Sequence, residues 1–235
     1  MEKNLSKISA LILCGGLGQR LQAVTQGAPK VLAKVNDKPF LDILIGYLKN
    51  QGIRNIVLCT GYKADILENH YAGHFPGVDI VFSREETPLG TGGAIKNAQP
   101  LVKGNPFFVF NGDSFCALDL EEFLDYFLKK NAQACLAVSK TDDSRDFGGI
   151  TLNDHQEIVS FKEKQVGGPS YVNAGIYCLS SEVFKLMPQE DRFSLETNFF
   201  PTLLGKQFFG FITDKPFYDI GTPERYQKAQ SVLKF

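Results

Sequence analysis

Ala10-Leu11-Ile12-Leu13-Cys14, running on into Gly15-Gly16-Leu17-Gly18-Gln19-Arg20-Leu21, reads as an apolar strand that empties into a glycine-rich loop ending on a fixed cation. Glycines let the backbone approach a phosphate chain closely and turn its N–H groups toward it. Pro29-Lys30 places a second cation one loop later, and Arg20 and Lys30 together suit a polyanion. The stretch therefore predicts a nucleotide-phosphate site at the end of a strand. Two other phosphate loops are excluded by spelling. Leu21 stands where the dinucleotide fingerprint needs Gly or Ala, and no stretch matches the Lys-Ser/Thr loop of P-loop NTPases. A plain strand-to-helix turn is the alternative, and the two flanking cations weigh against it.

Strand-like and helix-like segments alternate onward from this stretch. The patterns predict strands over 8–13, 55–59, 78–82, 106–110 and 134–139. They predict helices over 39–51, 63–72, 91–101 and through Leu120, Phe123, Leu124, Phe127 and Leu128. Such alternation argues for a mostly parallel sheet covered on both faces. The second half changes character, with strand-like pieces near 149–152, 156–162 and 171–178. Helices are expected over 180–187, 194–204 and 222–233, the last opening on Thr222-Pro223-Glu224, a helix-start signature. No Pro-, Gly- or Ser-rich linker and no internal repeat interrupts the chain, so one domain is expected over 1–235.

The 235 residues carry a formal net charge of −1 and are 43% hydrophobic, with mean hydropathy −0.11. Nucleic-acid binding through a basic face is disfavoured. No segment reads as a signal peptide or a membrane span, so a cytoplasmic location is expected. Five cysteines with no Cys-x-x-Cys pair read as reduced, buried thiols. His70 and His74 are four apart but have no third ligand nearby, and an exposed helix end is the expected reading. Phe199-Phe200 and Phe208-Phe209 are expected in the core. The oligomeric state stays open, with a homodimer among the options.

The remaining candidates are charged. Strand 106–110 runs into Asn111-Gly112-Asp113, which places Asp113 at the carboxyl end of a strand, where α/β sheets bind ligands. Asp219 ends the aromatic stretch Pro216-Phe217-Tyr218. A carboxylate in such surroundings is either paired locally or bound to a metal. Ser160-Phe161-Lys162-Glu163-Lys164 alternates, so one of its lysines can hold an anionic substrate while Glu163 accepts hydrogen bonds from hydroxyls; a charged, solvated edge strand is the alternative.

These motifs appear together, in chain order, in a known family. Gly15-Gly16-Leu17-Gly18-Gln19-Arg20-Leu21, Pro29-Lys30, Pro88-Leu89-Gly90-Thr91-Gly92-Gly93-Ala94, Asn111-Gly112-Asp113, Phe147-Gly148, Phe161-Lys162-Glu163-Lys164, Asn173-Ala174-Gly175 and Asp219-Ile220-Gly221-Thr222-Pro223 resemble the signature of the sugar-1-phosphate nucleotidylyltransferases. The resemblance spans nearly the whole chain. Within that family the chain is most similar to the D-glycero-D-manno-heptose 1-phosphate guanylyltransferases, a match supported by Asn36-Asp37-Lys38-Pro39-Phe40-Leu41.

The resemblance implies a Rossmann-like, GT-A-like α/β nucleotidyltransferase fold with a mostly parallel, mixed sheet. It places the nucleotide part over about 1–115 and the sugar-phosphate part over about 116–235. It implies transfer of a nucleoside monophosphate from an NTP to a sugar 1-phosphate, with Mg²⁺ as cofactor. Leu13, Gly15, Gly16, Gly18, Arg20, Glu85, Gly90 and Asp113 would face the nucleotide. Gly148, Glu163, Lys164, Asn173 and Gly175 would face the sugar phosphate. Arg20, Lys30 and Lys164 would serve catalysis, and Asp113 and Asp219 would hold the metal. Gln19, Gln22 and Val31 depart from residues common in the family and bear on loop shape. The C-terminal β-helix of some relatives has no counterpart here, so no acyltransferase activity is expected. Two rival functions are carried forward. One is a uridylyltransferase acting on a hexose or N-acetylmuramic acid 1-phosphate, since Glu85 suits uracil N3–H as well as guanine. The other is a non-catalytic subunit that binds NDP-sugar.

Overall fold

A computed structural model of the chain describes residues 4–73, 75–141, 149–162 and 170–233. In chain order its elements are β1 (Ser9–Leu13), the short helix α1 (Gln22–Thr25), β2 (Lys34–Val35), β3 (Lys38–Pro39), α2 (Phe40–Asn50), β4 (Asn55–Thr60), α3 (Ala64–Tyr71), β5 (Asp79–Arg84), α4 (Gly90–Ala98), β6 (Phe107–Asn111), β7 (Ser114–Cys116), α5 (Leu120–Lys129), β8 (Ala134–Thr141), β9 (Gly149–Leu152), β10 (Ile158–Lys162), β11 (Ser170–Leu179), β12 (Phe208–Thr213), β13 (Phe217–Asp219) and α6 (Pro223–Val232).

A nine-stranded sheet runs in the order β10-β9-β11-β6-β1-β4-β5, with β8 joining β11 to β12. β1 pairs in parallel with both β4 and β6, and β4 with β5. β11 is antiparallel to β6, β8 and β9. The sheet is thus mixed, as expected, and parallel through β6, β1, β4 and β5. Successive residues of β1 face opposite sides. Ala10 and Ile12 pack with Phe40, Leu44 and Phe123 of α2 and α5, whereas Leu11 packs with Ala94 and Ile95 of α4 and with Phe199 and Phe200. Both faces are covered, so the strand reads as a continuous apolar run.

Local signals set the helix starts. Asp119 accepts from Glu121 N and Glu122 N at 3.0 Å and starts α5. Thr222 accepts from Arg225 N at 3.4 Å and starts α6, with Pro223 next. Asn36 and Asp37 both have positive φ, 49° and 68°, the geometry of a two-residue hairpin turn. The resulting β2–β3 hairpin takes Pro39, so α2 begins one residue later than the sequence suggests.

Two predicted helices are corrected. Residues 180–187 hold only a 3₁₀ turn, Ser181–Lys185, because Pro188 disfavours the α conformation at Met187. Residues 194–204 form a π turn, Leu195–Phe199, followed by a 3₁₀ turn, Phe200–Leu203. Pro201 lacks the N–H that a continuous α-helix would use there. The strand β12 has no counterpart in the sequence reading, although the burial expected of Phe199, Phe200, Phe208 and Phe209 holds. All five cysteines are free and buried. No described helix is long and apolar enough to cross a membrane.

Candidate active site

The carboxyl ends of β1, β4, β5 and β6 open together, and a cavity of about 500 Å³ lies across them. Each strand contributes residues at or just past its end: Leu13 at the end of β1 with Cys14, Gly15, Gly16 and Leu17 after it, Gly61 and Tyr62 after β4, Glu85 and Glu86 after β5, and Asn111 at the end of β6 with Asp113 beyond it. β1 has β4 on one side and β6 on the other, so the cavity sits where the strand order reverses, the place where open α/β sheets bind ligands.

The glycines of the first loop have separate physical reasons. A Cβ on Gly15 would lie 2.7 Å from the Glu85 carboxylate. A Cβ on Gly16 would meet nothing within 4 Å, so this backbone is open to the cavity. Gly18 is left-handed, φ 58°, and a Cβ there would lie 2.9 Å from Lys30 Cβ. Lys30 follows Pro29 on a one-turn 3₁₀ helix, Lys30–Leu32, and its ammonium donates to the Asp113 carboxylate, both residues lining the cavity. Asp113 also accepts from Ser114 Oγ at 3.2 Å.

Glu85 is half-buried on the opposite wall. Its Oε2 accepts from Leu89 N at 2.9 Å. Burial pushes the carboxyl above its ordinary value, and the Leu89 N–H offsets part of that rise. Gly90, Thr91 and Ala94 complete this wall, whereas Gly92 and Gly93 turn away and pack against the 191–193 segment.

Behind Thr91 and Asn111 a chain of polar side chains leads to the predicted sugar end. Thr91 Oγ1 and Ser194 Oγ donate to Glu196 at 2.9 and 2.8 Å. Tyr177 OH donates to Glu196 at 3.4 Å and accepts from Asn173 Nδ2 at 2.9 Å. Asn173 Oδ1 accepts from Gly175 N at 2.9 Å. The register of β11 against β8 shifts between Asn173 and Tyr177, and Gly175 takes a positive φ of 71° there. A Cβ at Gly175 would sit 2.9 Å from Asn111 Nδ2. This break brings the Asn173–Gly175 segment against the cavity wall.

The structure thus gathers Leu13, Gly15, Gly16, Lys30, Glu85, Gly90 and Asp113 on one cavity, with Asn173 and Gly175 behind Asn111. Gly18 and Arg20 flank it from outside. Arg20 is exposed and approaches Gly221. Gly148, Glu163 and Lys164 lie outside the described residues, as does His74. Asp219 sits across the β13–β7 pairing from Ser114, and Ile220 N donates to Asp113 O at 2.9 Å. Its carboxylate accepts from Gly221 N at 2.8 Å and lies 3.2 Å from Arg225 Nη1 through each oxygen.

Among the described residues no three His, Cys, Asp or Glu side chains form a metal cluster. Mg²⁺ is commonly held by one or two carboxylates plus substrate phosphates. Asp113, a hard oxygen donor on the cavity wall, fits that pattern. Arg225, Glu196 and Tyr177 were not singled out by the sequence. Arg225 alone had a local signal, because a capped helix start sets it six residues after Asp219.

Residues 9–234 match the family described as Nucleotidyl transferase. The D-glycero-alpha-D-manno-heptose 1-phosphate guanylyltransferase of Aneurinibacillus thermoaerophilus is 36% identical over 97% of this chain and 99% of its own length. The protein of that name from Campylobacter jejuni is 37% identical over 93% of this chain and 97% of its own. Two crystal structures of HddC from Yersinia pseudotuberculosis, one of them complexed with GMP-PN, superpose with TM-scores of 0.86 and 0.85 at 36% identity. They cover 97% of this chain and 100% of theirs.

Proposed function

The chain belongs to the Nucleotidyl transferase family, and from that premise we propose that it transfers GMP from GTP to D-glycero-α-D-manno-heptose 1-phosphate, releasing pyrophosphate and forming a GDP-heptose for surface-glycan synthesis. The observation that carries this reading is that one cavity is lined both by a carboxylate, Glu85, suited to a base and by a Lys30–Asp113 pair suited to phosphates.

The sugar phosphate oxygen that attacks the α-phosphorus is already ionised at neutral pH, so the reaction needs no general base. It needs two anions brought together. Each pair of unit charges a few Å apart costs about 4 kcal/mol at an effective dielectric near 20. Lys30 and Arg20 on the nucleotide side, and Lys164 on the acceptor side, offset that repulsion. Asp113, with Asp219 beside it, would hold Mg²⁺, which neutralises phosphate charge when bound. Positioning and charge neutralisation then carry the rate. The buried, unpaired cysteines suit a reducing compartment such as the cytoplasm.

Pyrophosphate release, with GTP, UTP, CTP, ATP and dTTP crossed against a panel of sugar 1-phosphates, tests the assignment. Turnover confined to GTP with the manno-heptose or mannose phosphate is expected. Turnover with another pair keeps the chemistry and discards the substrate. No turnover in protein that binds nucleotide favours the non-catalytic subunit.

Glu85 is assigned to base choice. Guanine presents N1–H and N2–H₂ side by side, a pair of donors that one ionised carboxylate accepts, whereas uracil N3–H is flanked by two carbonyl acceptors that a carboxylate repels. In Glu85→Gln the amide oxygen can keep Leu89 N, which turns its NH₂ toward the base. kcat/KM for GTP is expected to fall about 100-fold while UTP gains relative to it; equal effects on both nucleotides would remove Glu85 from base recognition. The ionised form is the one that binds. KM for GTP should therefore rise as pH falls through the elevated Glu85 pKa, above the ordinary carboxylate range. The Gln variant should lack that rise.

Lys164 is assigned to the sugar phosphate. Lys164→Ala should raise KM for the sugar 1-phosphate about tenfold, the worth of one lost charge-assisted contact, with KM for GTP unchanged. A raised KM for GTP instead would move Lys164 to the nucleotide.

A further inference from the structure

Asp219 is 11% exposed and lies one residue from the backbone contact with Asp113. Gly221 N takes one oxygen at 2.8 Å, and Arg225 Nη1 stands 3.2 Å from both. The contact follows from how α6 begins. Thr222 caps the helix and places Arg225 in its first turn, and the guanidinium reaches back over the helix start to the strand end.

We propose that Arg225 is an internal counter-cation that competes with the divalent cation for Asp219 and thereby sets how tightly the protein takes metal. The inference rests on the nucleotidyl-transfer reading, in which Asp113 and Asp219 face the cation. Arg225 is a positioning residue, since it acts on the metal through a carboxylate. Arginine is always charged, and here one guanidinium nitrogen, Nη1, reaches both oxygens of the carboxylate. A divalent cation recruiting Asp219 meets that charge beside oxygens already engaged, and two cations sharing one nearly buried carboxylate repel each other strongly. Lys30 places the same constraint on Asp113. Both carboxylates are therefore neutralised from within. The entering cation has to displace an arginine at one and a lysine at the other, and triphosphate oxygens are the groups that can draw that lysine away.

The test is a titration of the full-length protein with Mn²⁺ alone, following loss of the free-ion EPR signal. R225Q is expected to bind Mn²⁺ at least fivefold more tightly than wild type. R225K, which keeps a charge on a shorter and more flexible stem, is expected to fall between them. In R225Q/D219N the gain should vanish. K228Q removes an exposed charge from the same helix and should leave binding unchanged. Unchanged or weaker binding in R225Q overturns the proposal. So does a gain that survives D219N, or one that K228Q reproduces. Should R225Q not fold, unchanged or weaker binding in R225K overturns it equally. Turnover is not the readout. A wild type that transfers no nucleotide in the pyrophosphate assay would sink the functional reading and leave the Mn²⁺ comparison standing.

Discussion

Asp113→Asn is expected to lower kcat at least about 1000-fold, the scale of removing a charged partner from developing transition-state charge, and to leave the fold intact. Asp113 stands two residues past the end of β6, on the wall of the cavity. Its carboxylate does two things. It holds the Lys30 ammonium on the cavity wall, and in the proposed reaction it would offer a hard oxygen to a divalent cation. Asparagine keeps the shape and loses both. The pair is 17% and 30% exposed, so its share of folding stability after solvent screening is about 1 kcal/mol or less. The melting temperature should move by only a few degrees while turnover collapses. Lys30→Met should cost a similar factor in kcat. The double variant should fall well short of the product of the two, because groups that act as a unit are not additive. Near wild-type turnover of Asp113→Asn in Mg²⁺ would remove Asp113 from the metal assignment. Multiplicative losses would mean that Lys30 and Asp113 act separately.

How much of this site is legible in the sequence depends on range. The start of α6 is written in Thr222-Pro223-Glu224 because a helix cap is local. β1 and β6 are legible because burial on both faces forces continuous apolar runs that end in loop residues. β12 is not, since its Gly210 and aromatic run do not distinguish a strand from core-packed turns, and its partner β8 lies far back in the chain. Asp219 shows the limit most sharply. The sequence leaves metal binding and local pairing open. The geometry that places Arg225 against it depends on the hairpin-like β13–β7 contact as well as on the helix cap. Glu196 and Tyr177 carry no local signal at all, because their meeting is made by the break in β11.

The Gly90-Thr91-Gly92-Gly93 run leads to the second large effect. A glycine run beside a candidate nucleotide cavity invites a phosphate-loop reading, yet only Gly90 and Thr91 of these four line the cavity. A Cβ on Gly93 would lie 2.1 Å from the backbone oxygen of Asp191 and 2.9 Å from Leu89 Cβ. Gly92 N and Gly93 N both donate to Phe193 O, at 3.0 and 3.2 Å, and Lys96 Nζ donates to the carbonyls of Pro188 and Gln189 at 2.9 Å. The 188–193 segment is therefore tied to the first turns of α4 by contacts that leave no room for a side chain. Backbone cannot swing aside as a flexible side chain can, so Gly93→Ala has to push the segment off the helix and break those bonds. The expected loss is about 3 kcal/mol, the upper range for inserting a methyl group into a packed interface. In a chain of this size that corresponds to a fall of roughly 6–12 °C in Tm. Gly73→Ala offers a contrast, since its Cβ meets nothing within 4 Å and only its φ of 77° opposes the change. Its cost should stay near 1 kcal/mol, the ordinary strain of a left-handed alanine. A Gly93→Ala protein that melts with wild type would mean that the 188–193 segment is not held against α4 in solution. Thr91, which Leu195 N and Glu196 hold just beyond that segment, would then not be fixed as a wall of the cavity.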